Sequence, residues 1–206
     1  MKKPLIIIIL ILIIDQLSKI YIKTHFVHYE SLKVLGWDWF QIYFVQNNGM
    51  AWGTEIGGKT GKFFLTTFRL MASVGIFYWL YKSVKQHKHK LLIFSIALIF
   101  AGAIGNIIDS LFYGMIFNDP AGVPATFFSN NPYGTFYFGK VVDMFYFPII
   151  KDQVIPGWMP LIGGEKFTFF NAIFNVADAS ITLGVAILLF FNRRIFHKEE
   201  ASETNT

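Results

Sequence analysis

Residues 169–191 read FFNAIFNVADASITLGVAILLFF, long and apolar enough to cross a bilayer as a helix of about 20 residues. Asp178 stands inside this run. A carboxylate within a transmembrane segment is costly and rare, so it marks a functional site and calls for a partner. The candidate partners are Asp143 in VVDMF, Asp109 in GNIIDS and Asp15 in IIDQLSK.

The rest of the chain agrees with a membrane setting. Its 206 residues are 54% hydrophobic, 18% aromatic and only 15% charged, where a soluble domain carries about 25% charged residues. Pro4–Lys23, Lys62–Tyr81 and Leu91–Tyr113 are further stretches near spanning length. The first could be read as a signal peptide, with Lys2 and Lys3 before apolar Leu5–Ile14. No small-residue cleavage site follows, so it is read as a retained helix. The predicted fold is an all-α membrane core of four transmembrane helices, about 4–23, 62–81, 91–113 and 169–191, in a single integral-membrane domain over 1–206.

The basic residues orient this topology. Lys2 and Lys3 precede the first helix, Lys82, Lys85, Lys88 and Lys90 fill the loop after the second, and Arg193, Arg194 and Lys198 follow the fourth. Positive loops stay inside, so both termini and the middle loop are expected in the cytoplasm. Glu30, Asp38, Glu55, Asp119, Asp152 and Glu165 all fall in the other two loops. The net charge of +5 is therefore an orientation signal, and no nucleic-acid partner is expected. The absence of cysteine excludes disulfides, thiol catalysis and Cys-ligated metal. His25, His28, His87, His89 and His197 lie in loops or tails without metal-ligand spacing, so no metal and no cofactor are expected.

The outer loops, 24–61 and 114–168, are too long to be simple turns. WDWFQIYFVQ in the first alternates as one or two short strands do. Its Trp37, Trp39, Tyr43 and nearby Trp52 suit a membrane interface. The second is broken by prolines and holds the strand-like run TFYFGKVVDMFYF.

Polar residues recur at helical spacing in two helices. Asn171, Asn175, Asp178 and Thr182 share one face of the fourth; Gly102, Asn106, Asp109 and Tyr113 share one face of the third. Polar side chains in lipid face the bundle interior, so the two stripes should meet. For Asn171 and Gly102, simple helix packing is the expected role. Every acid within or beside the helices falls at the outer boundary, Asp15 and Lys19 included, with Lys19 free to snorkel outward or pair with Asp15. Toward the inner side the sequences LGVAILLFF and LLIFSIALIF offer no polar route. A one-sided site is thus favoured over a proton-coupled small membrane transporter using Asp178, which is the alternative reading. Two carboxylates close together at such a boundary share one proton. One is then a base for water and the other an acid for the leaving amide.

DQLSK, QNNGMAWG, GNIIDS, VVDMF and FNVADASI, in this order on four helices, resemble the lipoprotein signal peptidase family, also called signal peptidase II. The resemblance implies an aspartic endopeptidase of the bacterial inner membrane, working near the outer leaflet as a monomer among membrane lipids. Its substrates would be diacylglyceryl-modified prolipoproteins, cut before the lipid-bearing cysteine. Carried over by motif, the catalytic pair falls on Asp143 and Asp178. Asn47, Gly49, Asn106, Asp109 and Asn175 become substrate-binding or orienting residues, Asp15 and Lys19 supporting ones. The first outer loop corresponds to the family's small β-cradle on the extracytoplasmic side. Ser110 stands where the family carries arginine, and Arg69 or Lys140 is the expected substitute cation. Residues 115–167 exceed the family's spacing. With Asp178 on a helix and Asp143 on a loop, the pair is expected to form when that loop closes over substrate.

Overall fold

The first three apolar stretches fold as helices longer than their apolar cores. In the computed structural model, which describes residues 2–49, 58–160, 163–169 and 171–195, α1 is Lys2–His25 and α2 is Gly58–Lys85. Helix α3 runs from Lys90 to Ile116, with one π turn at Asp109–Tyr113. These three are long and apolar enough to cross a membrane. The fourth, α4, is Val176–Phe190, apolar but only 15 residues long. Trp52, Glu55, His197 and Lys198 lie outside the described residues.

Two boundaries differ from expectation. The fourth helix does not begin at Phe169, because Asn175 caps it and the residues before it are extended: β5 is Lys166–Phe169 and β6 is Ile173–Phe174. An apolar run gives no periodicity that separates a buried strand from a helix, so the sequence read through this break. As a result Asn171 lies outside the helix, where its Oδ1 accepts from Tyr146 Oη at 3.0 Å, and Thr182 is exposed. Neither belongs to an inward polar stripe. The third helix, for its part, continues past Tyr113 to Ile116.

Helix α3 is the centre of the bundle. Over half of its most apolar window is buried, against under a quarter for α1 and α2. It meets α4 closely because small residues line the seam. A Cβ on Gly102 would stand 2.2 Å from the Ala177 carbonyl, and one on Gly184 would stand 2.7 Å from the Ser95 carbonyl. Ser180 Oγ adds a hydrogen bond to the Leu98 carbonyl at 2.8 Å. At the end where α1 begins, Ile8, Leu80, Leu92, Ile96, Ala97, Ala101 and Ile195 form one apolar core. Phe64, Phe68, Met71 and Val74 project outward from α2, each well exposed. That is the surface expected of a helix whose solvent is lipid.

The sheet lies at the opposite end. Strands β1 (Ser31–Lys33), β2 (Gln41–Asn47), β3 (Val141–Tyr146) and β6 pair antiparallel in that order. Strand β4 (Ile150–Val154) and β5 form a separate hairpin between β3 and α4. Val142 and Met144 turn one face of β3 into a core with Ile22, Phe44, Tyr113 and Phe117, docking the sheet onto the ends of α1 and α3. The alternate face carries Asp143. Asp143 therefore sits on an inner strand of a sheet and not on a free loop, which corrects the expectation that a loop must close to bring it into place.

Candidate active site

Four acids and two asparagines converge where the ends of α1 and α3, strand β3 and the start of α4 meet. The first turn of α4 sets the frame. Asn175 is the N-cap and Asp178 the third helical residue, and together they form a capping box. Asn175 Oδ1 accepts from the Asp178 backbone N–H at 2.9 Å, and Asp178 Oδ2 accepts from the Asn175 N–H at 3.4 Å. Orphan amides at a helix start need such acceptors. Asp15, reaching across from α1, satisfies another by accepting from the Ala177 N–H at 2.9 Å. It can reach because Gly105 has no side chain; a Cβ there would stand 2.7 Å from Asp15 Oδ2.

The capping geometry fixes what Asn175 presents to Asp143. A backbone N–H can only donate, so the oxygen of the Asn175 amide must face Asp178 and its nitrogen must face away. Nδ2 donates to Asp143 Oδ1 at 2.7 Å, with the Val142 carbonyl at 3.2 Å and Asn106 Oδ1 at 3.1 Å. The same logic orients Asn106. Lys19 is donor-only, and its Nζ meets Asn106 Oδ1 at 3.0 Å, which turns Nδ2 toward Asp178 Oδ1 at 2.7 Å. Each carboxylate thus receives a hydrogen bond from an asparagine whose orientation is set by an obligate donor.

Lys19 does not snorkel. It is fully buried, 2.9 Å from Asp15 Oδ2 and 2.8 Å from Asp109 Oδ2. Placement of Asp15 and Lys19 one turn apart on α1 puts both on the same face. Asp109, also fully buried, accepts from Gln16 Nε2 at 3.0 Å and from the Val142 N–H at 3.3 Å. It therefore holds the backbone of β3 one residue before Asp143. Gln16 also donates to Asp15 Oδ2 at 3.1 Å and accepts from Tyr113 Oη at 3.2 Å. Sequence reading gave Gln16 no role, although it stands beside Asp15 in DQLSK.

Asp143 lies opposite Val45 of β2, next to an extra residue that β2 carries between Ile42 and Val45. Such bulges re-aim side chains. Its Oδ2 accepts from Asn47 Nδ2, and Asn47 Oδ1 in turn accepts from the Gly49 N–H at 2.5 Å. Gly49 has φ +91°, and a Cβ there would stand 2.6 Å from Arg69 Nη1. Arg69 donates through Nη2 to the Gly49 carbonyl at 2.5 Å and lies within electrostatic reach of Asp178 and Asp143. Lys140, the other expected cation, pairs instead with Asp119 at 2.8 Å, so it is not the substitute. Ser110 turns back to the Asn106 carbonyl at 3.0 Å.

Burial, and then the charge of Asp178, push the Asp143 carboxyl up to about 8. Asp143 is nearly inaccessible while Asp178 is half-buried. All nine residues singled out from the sequence, namely Asp15, Lys19, Asn47, Gly49, Asn106, Asp109, Asp143, Asn175 and Asp178, belong to this one network. The arrangement offers two differently buried carboxylates, each braced by a fixed amide donor.

Comparison with known proteins gives a consistent result. The family described as Signal peptidase (SPase) II matches residues 7–193. A lipoprotein signal peptidase of Porphyromonas gingivalis is 48% identical over 184 residues, covering 88% of this chain and 79% of that protein. One from Amoebophilus asiaticus is 34% identical, covering 90% of this chain and 75% of its own length. A bacterial membrane enzyme solved by the in meso method at 2.3 Å resolution superposes with a TM-score of 0.60 at 25% identity, covering 94% of this chain and 89% of that one.

Proposed function

This chain belongs to the signal peptidase II family and is a peptidase of lipoprotein signal peptides, and from that premise we propose that Asp143 and Asp178 are its catalytic pair. The observation that carries the assignment is the capping box, which gives Asp178 a fixed place and hands the other end of Asn175 to Asp143.

In this mechanism buried Asp143, its carboxyl pushed up to about 8, is the acid at neutral pH, and half-buried Asp178 takes the role of base. Asp178 takes a proton from water, and the resulting oxygen nucleophile attacks the scissile carbonyl. Asp143 gives its proton to the carbonyl oxygen, forming a tetrahedral diol. In the second half the proton on Asp178 passes to the leaving nitrogen, the C–N bond breaks, and a diol proton returns to Asp143. Water is consumed, no covalent enzyme intermediate forms, and the pair ends as it began. Asn106 and Asn175 hold the two carboxylates, and the Asn47–Gly49 turn contacts the substrate backbone.

The substrate is a prolipoprotein whose cysteine already bears a diacylglyceryl group, cut immediately before that cysteine. The chain acts as one domain and as a monomer, with α1 to α4 all crossing the bilayer and both termini in the cytoplasm. Support for the orientation comes from Lys82, Lys85, Lys88 and Lys90 between α2 and α3 and from Arg193 and Arg194 after α4. The pair then lies near the outer leaflet, where the acyl chains of the substrate can stay in lipid during cleavage. Purified protein incubated with a diacylglyceryl prolipoprotein and with its unlipidated counterpart tests the reading; cleavage of the first alone is expected, and equal cleavage of both would refute the lipid requirement.

A further inference from the structure

A second polar centre lies beside the carboxylates and shares no residue with their network. Lys23, in the last turn of α1, is fully buried. Its ammonium donates to Gln46 Oε1 and lies 5.9, 5.4 and 5.0 Å from the ring centroids of Phe44, Phe117 and Tyr133. Gln46 Nε2 donates onward to Asp119 Oδ1 at 2.9 Å, and Asp119 Oδ2 meets Lys140 Nζ at 2.8 Å. The Lys140 N–H donates to Tyr133 Oη at 2.6 Å, and the Lys140 ammonium lies 5.4 Å from the same ring. Backbone groups close the knot: Ala125 N–H donates to the Lys23 carbonyl at 3.0 Å and Gln46 N–H to His28 Nε2 at 3.2 Å.

The knot joins four pieces of chain at one point, and two of them lead straight into the site. Gln46 directly precedes Asn47, whose side chain donates to Asp143. Lys140 directly precedes Val141, the first residue of β3. In the ladder Gln46 faces Val142 and Asn47 faces Val141. Past Val45 the ladder is interrupted by the bulge, so regular pairing does not continue unbroken along β2 and β3. A slip of one residue would turn Asp143 to the opposite face of the sheet. The register needs a fixed point near the bulge, and the knot stands there. Asp119 is its hinge pin, since one of its oxygens holds β2 through Gln46 and the other holds β3 through Lys140. It also supplies the negative charge opposite two cations, one of them walled in by aromatic rings.

We propose that Asp119 is a positioning residue, which locks β2 to β3 through Gln46 and Lys140 and thereby sets the approach of Asn47 to Asp143. Its effect on turnover rests on the peptidase reading above; its effect on the sheet does not. The test combines cleavage kinetics on a diacylglyceryl prolipoprotein with amide hydrogen exchange on the full chain in detergent or lipid. In Asp119→Asn, kcat is expected to fall about tenfold or more with KM within about twofold, the pattern of a displaced reacting group and intact substrate contacts. Exchange should quicken at residues 45–47 and 141–143 and stay unchanged in the middle of α3. Asp119→Glu, which keeps the charge, should restore most of the lost kcat.

Wild-type kcat and wild-type exchange in a folded Asp119→Asn protein would overturn the proposal. If that variant does not fold, Lys140→Gln is read the same way, because it opens only the exposed side of the knot: faster exchange at 141–143 with lower kcat supports the role, and no change in either refutes it. If the wild type itself leaves the lipid-modified substrate uncut, the peptidase reading falls, and the exchange data alone decide for or against the lock.

Discussion

Asn175 donates its side-chain amide to Asp143 across 2.7 Å, joining the cap of α4 to strand β3. The opposite end of the same amide accepts from the Asp178 N–H at 2.9 Å. One side chain therefore sets the mutual position of two acids 35 residues apart in sequence, and it does so with a geometry the helix start already demands. Neither acid could move without breaking a cap or a strand contact. Both acids are thereby tied to one residue, Asn175.

The pH dependence follows from the raised Asp143 carboxyl. Its folded value, pushed up to about 8 by burial and by Asp178, lies above its unfolded value of about 3.9. For a group shifted upward the stabilising contribution is full below the unfolded value and is lost as pH rises toward and through the folded one. Thermal unfolding between pH 6 and pH 9 should therefore show Asp143→Asn gaining on the wild type as pH rises. A difference in Tm that stays flat over that range would contradict the assignment. Cleavage by the wild type should lose rate on the alkaline side near the same pH, as the pair gives up its shared proton.

Among the described residues, Lys19 is the cation bonded to both Asp15 and Asp109, which are fully buried. Removing one partner of a buried ionic group costs about 3–5 kcal/mol, because the other is left uncompensated. Lys19→Met should accordingly unfold at much lower temperature or denaturant, and it should also free the Asn106 amide to flip away from Asp178. Adding Asp109→Asn to Lys19→Met should recover part of the stability and none of the orientation of Asn106, so activity stays low. Recovery of full cleavage in the double variant would contradict this role for Lys19.

Asn175→Ala removes a helix cap and the brace of Asp143 together. The cap alone is worth about 1 kcal/mol, which equilibrium unfolding would register as a modest loss. Cleavage should fall much further than so small a change in folding accounts for. Asn175→Ser, which can still cap but cannot reach Asp143 with an amide, should restore stability while activity remains depressed. If serine restored both, the bridge to Asp143 would be irrelevant.

Gly49→Ala tests the turn that carries Asn47. At φ +91° a Cβ is strained by about 1–2 kcal/mol in the left-handed region, and here it also meets the Arg69 guanidinium. The variant should stay folded, bind substrate less well and turn over more slowly, visible as a rise in KM with a fall in kcat. Arg69→Gln should produce the same signature, since it releases the Gly49 carbonyl. Unchanged kinetics in both variants would remove the turn from the site.

Much of this was legible in the residues alone. Long apolar runs announced the helices, and the facing of Asn106 and Asp178 followed from helical spacing on two segments. The start of α4 was hidden, since Ile173 and Phe174 are equally suited to a buried strand and to a helix, and only their tertiary pairing with β3 selects the strand. Asn175 and Asp178 were visible as members of one polar stripe, while their meaning as a capping box required knowing where the helix begins. Lys19 was expected either to snorkel outward or to pair with Asp15; it pairs with Asp15, and its full burial depends on Asp109 arriving as a second acid from α3. Lys23 and Gln46 carried no signal at all, because nothing in a linear sequence says that an aromatic box will close around a lysine.

The central claim is that Asp143 and Asp178 act as a pair on a lipid-modified prolipoprotein. Its most direct test is the cleavage rate of a purified diacylglyceryl prolipoprotein by the wild type, Asp143→Asn and Asp178→Asn, each confirmed folded by its thermal transition. The account predicts cleavage before the lipid-bearing cysteine by the wild type and no detectable product from either variant. Wild-type rates from either folded variant would contradict it.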